Sequence, residues 1–266
     1  MISICIPIYN NDVRELVSRL SEQSVQLDAP CEILLIDDAS TNGCKKANSS
    51  LAELPNVRYK ELPENIGRSA IRNLLAKEAI YRYLIFMDCD AQVCSDDFLQ
   101  KYFSCCKDGI VCYGGKKTVT TCPAPEFRLR WLCSIKREQP NAIERNIRPN
   151  RSFITFNFLI DKEIFKKATF DENLRNSNHE DTIFGFRLSE AGITVSHIDN
   201  PLLFCNFDDS ATFLKKTERG LQNLSLFYDK TENKGDFARD VKLLCAWRKL
   251  NFCGLTGLFA ILFHSF

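Results

Sequence analysis

Three pairs of carboxylates in this sequence combine residue types and spacing that could bind phosphates or move a proton. Asp88-Cys89-Asp90 directly follows an apolar run, and two carboxylates on a tight turn can share a hard divalent cation that bridges phosphate groups. Asp37-Asp38 ends another apolar run, and adjacent carboxylates repel each other unless a donor such as a ribose hydroxyl or a base N–H binds them. The ring of Tyr9 could stack on that base. Glu180-Asp181 could place a general base beside a hydroxyl group.

Each pair also has a purely structural interpretation. With 18 aspartates in 266 residues, an Asp-x-Asp pattern is expected about once by chance, so the pattern alone decides nothing. Asp90 could cap backbone amides at the end of a strand, and Asp37-Asp38 could form a turn followed by a helix cap. Glu180-Asp181 could complement the dipole of a helix that begins there. The positions of these pairs relative to strands and helices therefore have to decide.

The first ninety residues alternate between strand and helix signals. Continuously apolar runs, typical of strands buried on both faces, alternate with segments of helical periodicity. The predicted order is strand 2–8, helix 13–20, strand 32–36, helix 42–54, strand 57–62, helix 66–80 and strand 83–87. This series predicts an α/β fold with a mostly parallel sheet and helices on both faces, in which ligands bind at the carboxyl ends of the strands. Tyr9, Asp37-Asp38 and Asp88-Cys89-Asp90 all fall at such ends.

The second half of the chain is less regular. We predict a strand over 153–160, a short helix over 161–167, a helix over 180–191 that Gly192 ends, and a strand over 193–198. From Ser210 the pattern is helical to the end, with a polar break near residues 232–235. We therefore divide the chain into a domain of residues 1–208 and a helical C-terminal extension of residues 209–266.

Composition argues against a general nucleic-acid binder and favours a reducing compartment. The 35 basic and 34 acidic residues leave a net charge of +1, so any phosphate site has to be local. The 13 cysteines are scattered without the paired CxxC spacing of a zinc site, and no secretory signal precedes them. We therefore expect a reduced, cytoplasmic protein.

No apolar run reaches the roughly 18 residues that a membrane-spanning helix needs. The nearest, residues 250–266, is interrupted by polar residues and follows Lys242, Arg248 and Lys249. It either docks on the domain as a terminal helix or lies on the inner face of the plasma membrane as a peripheral contact.

Five motifs in the same order resemble those of the family 2 glycosyltransferases and together span most of residues 2–200. Ile4-Cys5-Ile6-Pro7-Ile8-Tyr9-Asn10 resembles the opening V-S-I-I-I-P-x-Y-N, and Ile36-Asp37-Asp38-Ala39-Ser40-Thr41 resembles V-D-D-x-S-T. The run from Glu64 to Asn73 resembles N-x-G-x-x-x-A-R-N. Asp88-Cys89-Asp90 matches D-x-D and Glu180-Asp181 matches E-D. The resemblance implies the GT-A fold, a Rossmann-like sheet that binds a nucleotide-sugar, with a UDP-sugar the expected donor.

The resemblance implies roles for these residues. The donor-binding set is Pro7, Tyr9, Asp37, Asp38, Arg68, Arg72, Asp88 and Cys89. Asp90, together with Asp88, would ligate a divalent metal, Mn²⁺ or Mg²⁺. Arg68 and Arg72 would lie near the base and the diphosphate, although an arginine on a helix surface could equally form a structural ion pair.

Asp181 is the catalytic residue that the resemblance implies. It would deprotonate a hydroxyl of the acceptor, a glycan or a polyprenyl-diphosphate-linked sugar, as that oxygen attacks the anomeric carbon. A single in-line displacement of this kind inverts the configuration. The expected protein is a metal-dependent, inverting glycosyltransferase that builds a surface or capsular glycan.

One departure from the family pattern concerns the metal. Family members often carry a histidine shortly after the Asn-Pro that follows the last strand, whereas Asn200-Pro201-Leu202-Leu203-Phe204-Cys205 contains none. Cys205, a water, His179 or His197 would have to serve instead, or the affinity for metal is reduced. His197 alternates with apolar neighbours and is better explained as structural.

The segment 127–151 is rich in basic residues: Arg128, Arg130, Lys136, Arg137, Arg145, Arg148 and Arg151. It is either a solvated loop or a flap over the diphosphate of the donor or of a lipid-linked acceptor.

Two other functions are weighed against transfer. A non-catalytic nucleotide- or partner-binding module on the same fold is the main alternative, and the presence of Asp181 together with Asp88 and Asp90 argues against it. A nucleotidyltransferase would carry a Gly-rich, basic loop after the first strand, which Asn10-Asn11-Asp12 is not.

Overall fold

Strands and helices alternate through the first half of the computed structural model, which describes residues 1–41, 43–173 and 179–241. The strands are β1 (Ile2–Ile8), β2 (Cys31–Asp37), β3 (Val57–Glu61), β4 (Tyr83–Met87), β5 (Ala91–Gln92), β6 (Val111–Tyr113), β7 (Lys116–Thr118), β8 (Asn157–Asp161), β9 (Ser196–His197) and β10 (Leu202–Phe204). The helices are α1 (Arg14–Val25), α2 (Cys44–Ser49), α3 (Arg68–Glu78), α4 (Phe98–Phe103), α5 (Arg128–Cys133), α6 (Ala142–Asn146), α7 (Lys162–Lys167), α8 (Glu180–Glu190), α9 (Ser210–Lys230) and α10 (Lys234–Asp240). A π-helical turn, Ser134–Glu138, continues α5.

Seven strands form the main sheet in the order β3-β2-β1-β4-β8-β6-β9. The pairs among β1, β2, β3 and β4 are parallel, as is the pair of β6 with β9, whereas β8 runs antiparallel to both of its neighbours. The predicted mostly parallel α/β sheet is therefore confirmed. Its first four strands end at one edge, which carries the polar residues that follow them.

The central strands are buried on both faces because successive side chains point to opposite sides of the sheet. Ile4 and Ile6 of β1 enter a core layer that α1 and α4 cover, whereas Cys5 enters the layer under α3, α7 and α8. Burying an isoleucine side chain such as that of Ile4 or Ile6 contributes roughly 1.5–3 kcal/mol to the stability of the fold. Two apolar layers thus hold the sheet rigid beneath its carboxyl edge.

A second sheet of three short strands, in the order β5-β10-β7, lies beside the carboxyl end of β4. Strand β5 begins directly after Asp90, and β10 pairs with it in antiparallel fashion. Strand β7 pairs with β10 in parallel, so Lys116 is in register with Leu202. This sheet brings residues of β7 and β10 next to the Asp88-Cys89-Asp90 turn.

Some predicted boundaries were wrong. The strand predicted over 153–160 occupies Asn157–Asp161, because Phe153 packs against the rings of Tyr113, Phe158 and Phe184 instead of pairing in the sheet. The strand predicted over 193–198 is reduced to Ser196–His197. The helix predicted over 42–54 is α2 followed by a 3-10 turn, Ser50–Glu53.

Helices α9 and α10 continue the chain and are separated near the predicted polar break. They add a small apolar cluster in which Phe227 and Phe237 contact Phe186 of α8. Within the described residues, no helix has the length and apolarity needed to cross a membrane. The membrane contact predicted for residues 250–266 lies outside the described residues.

Candidate active site

A cleft of about 1890 Å³ opens at the carboxyl edge of the parallel strands. The predicted site residues that line it are Pro7, Tyr9, Asp38, Arg68, Arg72, Asp88, Cys89, Asp90 and Asp181. Asp37 is the predicted residue that does not reach its surface. Residues distant in sequence thus meet in one cavity, as the strand order requires.

The loops after β1 and β2 are tied to each other. The Asn10 amide donates to Ser40 Oγ at 2.8 Å, and the Thr41 amide donates to Asn10 Oδ1 at 2.8 Å. Asn10 adopts a left-handed conformation with φ 54°, a conformation that asparagine tolerates better than most residues. This arrangement leaves the ring of Tyr9 46% exposed at the rim of the cleft, where it can take a planar ligand.

The protein itself supplies the donors that Asp37 and Asp38 require. Asp37 is fully buried and accepts from the Ser40 amide at 2.6 Å. Asp38 accepts from the amides of Ile66 and Gly67 at 2.7 and 3.1 Å. Burial raises the pKa of Asp38, and these two amides offset the effect only in part. Asp37 therefore shapes the turn, whereas Asp38 joins the turn to the start of α3 while facing the cleft.

Arg72 is an internal ion-pair residue. Its side chain is buried, and it donates to Asp88 Oδ1 at 2.6 Å and to Glu180 Oε1 at 3.3 Å. It thereby connects α3 with the end of β4 and the beginning of α8. Arg68, one turn earlier, lies 3.5 Å from Asp88 Oδ2 and keeps 48% of its side chain exposed. Arg72 thus forms the structural ion pair that was the alternative to a role in donor binding. Arg68 in addition presents its guanidinium to the cleft.

The Asp88-Cys89-Asp90 turn presents two different surfaces. Burial and the neighbouring charge of Asp88 raise the pKa of Asp90, while Arg68 and Lys116 act in the opposite direction. Cys89 Sγ accepts from Asn11 Nδ2 at 3.4 Å, and burial raises the pKa of its thiol to about 12. Cys89 is therefore a neutral part of the cleft surface. Among the residues that the structure describes, Asp90 has no arginine within ion-pair distance, whereas Asp88 has two.

Asp181 lies in the first turn of α8. The helix begins directly after His179, whose φ of 70° directs the chain into it. Its Oδ1 accepts from the Thr182 amide at 2.6 Å. Burial, followed by the charge of Glu180, raises the pKa of Asp181 to about 7. A carboxylate with that pKa can take a proton and release it again near neutral pH.

Strands β7 and β10 and the π-helical turn form a second part of the cleft lining, which we call the opposite wall. It holds an ion cluster that our sequence interpretation missed. Glu138, at the end of the π-helical turn, accepts from Lys116 Nζ at 2.5 Å and from Arg130 at 2.9 and 3.0 Å. The Lys116 ammonium also lies 3.8 Å from the centre of the Phe204 ring. Burial alone would raise the pKa of Glu138, but Lys116 and Arg130 outweigh it and lower the pKa to about 2. This Lys116–Arg130–Glu138 cluster carries a net positive charge, and Lys116 is close enough to Asp90 to act on its pKa.

One sequence signal could have pointed to Lys116. Gly114 and Gly115 precede it, and a Cβ on Gly114 would collide with Asn157, Asn200 and Tyr102. Gly115 has φ 106°, a conformation that glycine adopts without strain. A glycine pair of this kind marks a tight turn that aims the next side chain.

The residues considered as substitutes for the missing histidine lie in different places. His197 is buried, receives a hydrogen bond from Arg145 Nε at 3.1 Å on Nδ1, and has Nε2 2.9 Å from the Pro149 carbonyl. It is therefore structural, as predicted. Of the other two side chains, His179 lines the cleft and Cys205 does not.

The sequence matches one family of known proteins over more than half of its length. The family described as Glycosyl transferase family 2 matches residues 3–168. Two uncharacterized glycosyltransferases, from Rickettsia felis and Rickettsia conorii, are 34% and 33% identical to the chain over 89 residues. The matched region covers 34% of this chain but 14% of each relative, so the chain spans a small part of the curated relatives.

Solved structures share the architecture over nearly the whole chain. S. aureus TarS 1-349 matches with a TM-score of 0.57 and 19% identity over 91% of this chain and 81% of its own. The mannosyltransferase PcManGT from Pyrobaculum calidifontis, in complex with GDP-Man and Mn²⁺, matches with a TM-score of 0.62 and 14% identity over 92% of this chain and 69% of its own. TarS 1-349 in complex with UDP-GlcNAc matches with a TM-score of 0.59 and 14% identity over 94% and 73%. These likenesses confirm the predicted GT-A fold.

Proposed function

The chain belongs to glycosyl transferase family 2, and from this premise we propose that it transfers a sugar from a nucleotide-sugar donor to an acceptor hydroxyl with inversion of configuration. The observation that supports this most directly is a convergence in one cleft. A rim formed by Tyr9, Asp38 and Asp88-Cys89-Asp90 suits a nucleoside diphosphate, and Asp181 on α8 opens into the same cavity.

The donor we propose is a nucleotide-sugar, with a UDP-sugar as the first candidate. TarS is known in complex with UDP and with UDP-GlcNAc, and PcManGT in complex with GDP-Man. The exposed ring of Tyr9 would stack on the base, and the carboxylate edge near Asp38 would receive the nucleoside. Transfer of a hexose and transfer of an N-acetylhexosamine are both compatible with a cleft of this size.

The acidic turn fits a divalent metal that is held jointly with the donor. Within residues 1–41, 43–173 and 179–241, no group of three or more His, Cys, Asp or Glu side chains is arranged to hold a metal ion. Mg²⁺ is commonly bound by one or two carboxylates plus substrate phosphates. Asp90, with Asp88 beside it, fits that mode. A bound Mn²⁺ or Mg²⁺ would supply positive charge for the departing diphosphate.

The remaining chemistry falls to side chains on the two walls. Asp181 would take the proton of the acceptor hydroxyl while that oxygen forms its bond to the anomeric carbon. The bond from this carbon to the diphosphate oxygen breaks, and its electron pair leaves with the nucleoside diphosphate. Arg68 on one wall and the Lys116–Arg130–Glu138 cluster on the other would stabilise the charge that develops on the leaving group.

We propose a glycan or a polyprenyl-diphosphate-linked sugar as the acceptor. Residues of α5, the π-helical turn and α9 also line the cleft, and the cationic side chains of its lining include Lys136, Arg137 and Arg151. We also propose that residues 1–208 form the catalytic domain and residues 209–266 an extension to it. The eleven described cysteines, none of them in a disulfide, suit the reducing cytoplasm.

The test is a panel of nucleotide-sugars with Mn²⁺ or Mg²⁺, measured by the shift in melting temperature and by nucleotide release. We expect at least one nucleotide-sugar to stabilise the protein in a metal-dependent manner. Asp90→Ala should abolish the metal-dependent part of that stabilisation. If no nucleotide-sugar binds, the proposed function is wrong.

The main alternative, a non-catalytic module that binds a nucleotide or a partner, differs in one measurable respect. Such a module would bind the donor but would release no nucleotide in the presence of any acceptor, and Asp181→Asn would change nothing. A wild-type protein that releases nucleotide, with an Asp181→Asn variant that binds donor and releases none, would exclude it.

A further inference from the structure

Helix α6 and the residue that ends it expose two isoleucines, Ile143 and Ile147, near the rim of the cleft. Ile143 is 80% exposed and Ile147 75% exposed, the highest values among the large apolar side chains of the described residues. They are four positions apart, so they lie on the same side of a helix. Pro140 and Glu144, next to them, line the cleft. Nothing among the described residues covers this pair, and exposed apolar side chains at the mouth of a cleft mark a candidate interaction surface.

The orientation of α6 is determined by its other side. Ala142 and Arg145 are buried, and the Arg145 guanidinium donates to the carbonyls of Pro140, Gly114 and Ile198. A capping box between Asn141 and Glu144 begins the helix. With one side held by a buried arginine, the helix cannot turn its isoleucines inward. Their exposure is therefore a fixed property of the fold.

Basic side chains lie on both sides of this apolar pair along the chain. Of the seven basic residues in segment 127–151, Arg130 and Arg145 are bonded inside the protein. The others have no carboxylate within ion-pair distance among the described residues: Arg128, Lys136, Arg137, Arg148 and Arg151. The two acidic residues of the segment are already engaged, Glu138 in the ion cluster and Glu144 in the capping box. The segment thus combines two exposed isoleucines with five basic side chains that pair with no carboxylate among the described residues.

We propose that this surface, consisting of Ile143, Ile147, Lys136, Arg137 and Arg148, docks the protein onto an anionic phospholipid bilayer. Apolar side chains that enter the boundary between headgroups and acyl chains, combined with basic residues that meet anionic headgroups, are the two attractions that hold peripheral proteins on membranes. Docking in this way places the mouth of the cleft at the membrane, where a lipid-linked acceptor resides. The binding itself does not depend on the proposed transfer reaction.

The test uses the full chain and sedimentation with vesicles of phosphatidylcholine, with and without phosphatidylglycerol. We expect the wild type to bind the anionic vesicles. The double variant Ile143→Ser, Ile147→Ser should bind them roughly tenfold more weakly, because two apolar side chains no longer enter the bilayer. The matched control is Val25→Ser, Ile80→Ser, which removes side chains that are 70% and 63% exposed elsewhere and should bind like the wild type.

A charge variant tests the second attraction. Lys136→Gln, Arg137→Gln, Arg148→Gln should weaken binding to anionic vesicles roughly 100-fold at low salt, since each basic residue near such a surface contributes about 1 kcal/mol. The difference should shrink at high salt, where surface charges are screened. Melting temperatures check that the variants are folded.

Three results would overturn the proposal. The first is a wild type that does not bind anionic vesicles. The second is an isoleucine variant that binds as well as the wild type, which would assign membrane binding to another part of the chain such as residues 250–266. The third is a control variant that loses as much binding as the isoleucine variant, which would make the effect unspecific.

Discussion

The two walls of the cleft are built in different ways. The wall that carries Tyr9, Asp38 and Asp88-Cys89-Asp90 consists of the ends of consecutive parallel strands, and Asp37 and Asp38 are satisfied by nearby backbone amides. The opposite wall consists of the short strands β7 and β10 and a π-helical turn. Its one carboxylate in the ion cluster, Glu138, is satisfied by two cationic side chains. Backbone geometry thus positions the first wall, and side-chain charge positions the second.

The difference also polarises the cleft. On the strand-end wall, the two arginines Arg68 and Arg72 are outnumbered by the carboxylates of Asp38, Asp88 and Asp90. On the opposite wall, Lys116 and Arg130 outnumber Glu138. A ligand with a cation on one side and a diphosphate on the other is complementary to such a cleft, since buried charges of opposite sign attract strongly at low dielectric. Each wall therefore makes its own contribution to ligand binding, and single variants on each wall can measure the two contributions.

The largest expected effect concerns Asp181. Replacing it with asparagine keeps the shape of the side chain and the acceptor for the Thr182 amide but removes the base. We expect transfer to fall roughly 10²- to 10⁴-fold, with donor binding unchanged because the donor contacts proposed above are made by other residues. Single-turnover transfer assays and calorimetric donor titrations measure the two quantities.

The outcome that contradicts this prediction is a variant that loses donor binding. It would place Asp181 on the donor side of the cleft, and the base would have to be sought elsewhere. A suitable comparison is Asp208→Asn, which also removes a carboxylate that lines the cleft but lies outside the two walls.

The next effect concerns the stability of the opposite wall. Glu138→Gln leaves the buried Lys116 and the largely buried Arg130 without their counter-charge. Removing one partner of a buried pair costs roughly 3–5 kcal/mol, and we expect a loss near the lower end because Glu138 keeps 24% of its side chain exposed. Denaturant unfolding measures it.

The matched control is Glu163→Gln, which breaks a pair of similar length, with Lys166 at 2.5 Å, whose side chains are 62% and 60% exposed. Exposed pairs contribute about 0–1 kcal/mol, so its effect should be several times smaller. Equal losses in the two variants would show that the cluster does not hold the wall in place.

The strand-end wall could be predicted from the sequence because its signals are local. Apolar runs in β1, β2 and β4 end at polar residues, and parallel strands bring those ends to one edge. The positions of Tyr9, Asp38 and Asp90 in the cleft follow from this rule. The break after α9 was also visible, since the polar run near residues 232–235 follows Lys230, the last residue of the helix.

The opposite wall could not be predicted in the same way. Lys116 and Glu138 are 22 residues apart, and neither the periodicity nor the composition of 122–151 indicates that they pair. The strand predicted over 193–198 was too long, because only Ser196 and His197 pair with β6. Short strands of two or three residues leave too few positions to show an alternating pattern.

A smaller effect tests the base-stacking role of Tyr9. Tyr9→Ala should weaken donor binding roughly tenfold, since stacking of a base on an aromatic ring contributes about 1–3 kcal/mol. Stability should hardly change because the ring is 46% exposed. Tyr9→Phe, which keeps the ring, should bind donor like the wild type. If Tyr9→Phe is as weak as Tyr9→Ala, the hydroxyl and not the ring contacts the donor.

The smallest effect concerns pH and returns to Asp181. Because burial and Glu180 raise its pKa to about 7, the folded state holds this proton more tightly than the unfolded chain, whose Asp pKa is about 3.9. The wild type therefore loses stability as pH rises from about 4 to 7, and Asp181→Asn avoids that loss. At pH 8 we expect the free energy of unfolding of the variant to exceed that of the wild type by at least about 1 kcal/mol. The gain should be smaller at pH 5.

Asp209 provides the control of opposite sign. Hydrogen bonds from Thr212 lower its pKa, so its carboxylate adds stability above about pH 4 that is lost on acidification. Asp209→Asn should therefore be slightly less stable than the wild type at pH 8, with the difference closing as the pH falls. Melting temperatures at pH 8 and pH 5 for Asp181→Asn, and at pH 8 and about pH 3 for Asp209→Asn, decide the matter. If Asp181→Asn is less stable than the wild type at pH 8, the Asp181 carboxylate is held by structural contacts. The base that takes the acceptor proton near neutral pH would then have to be another group.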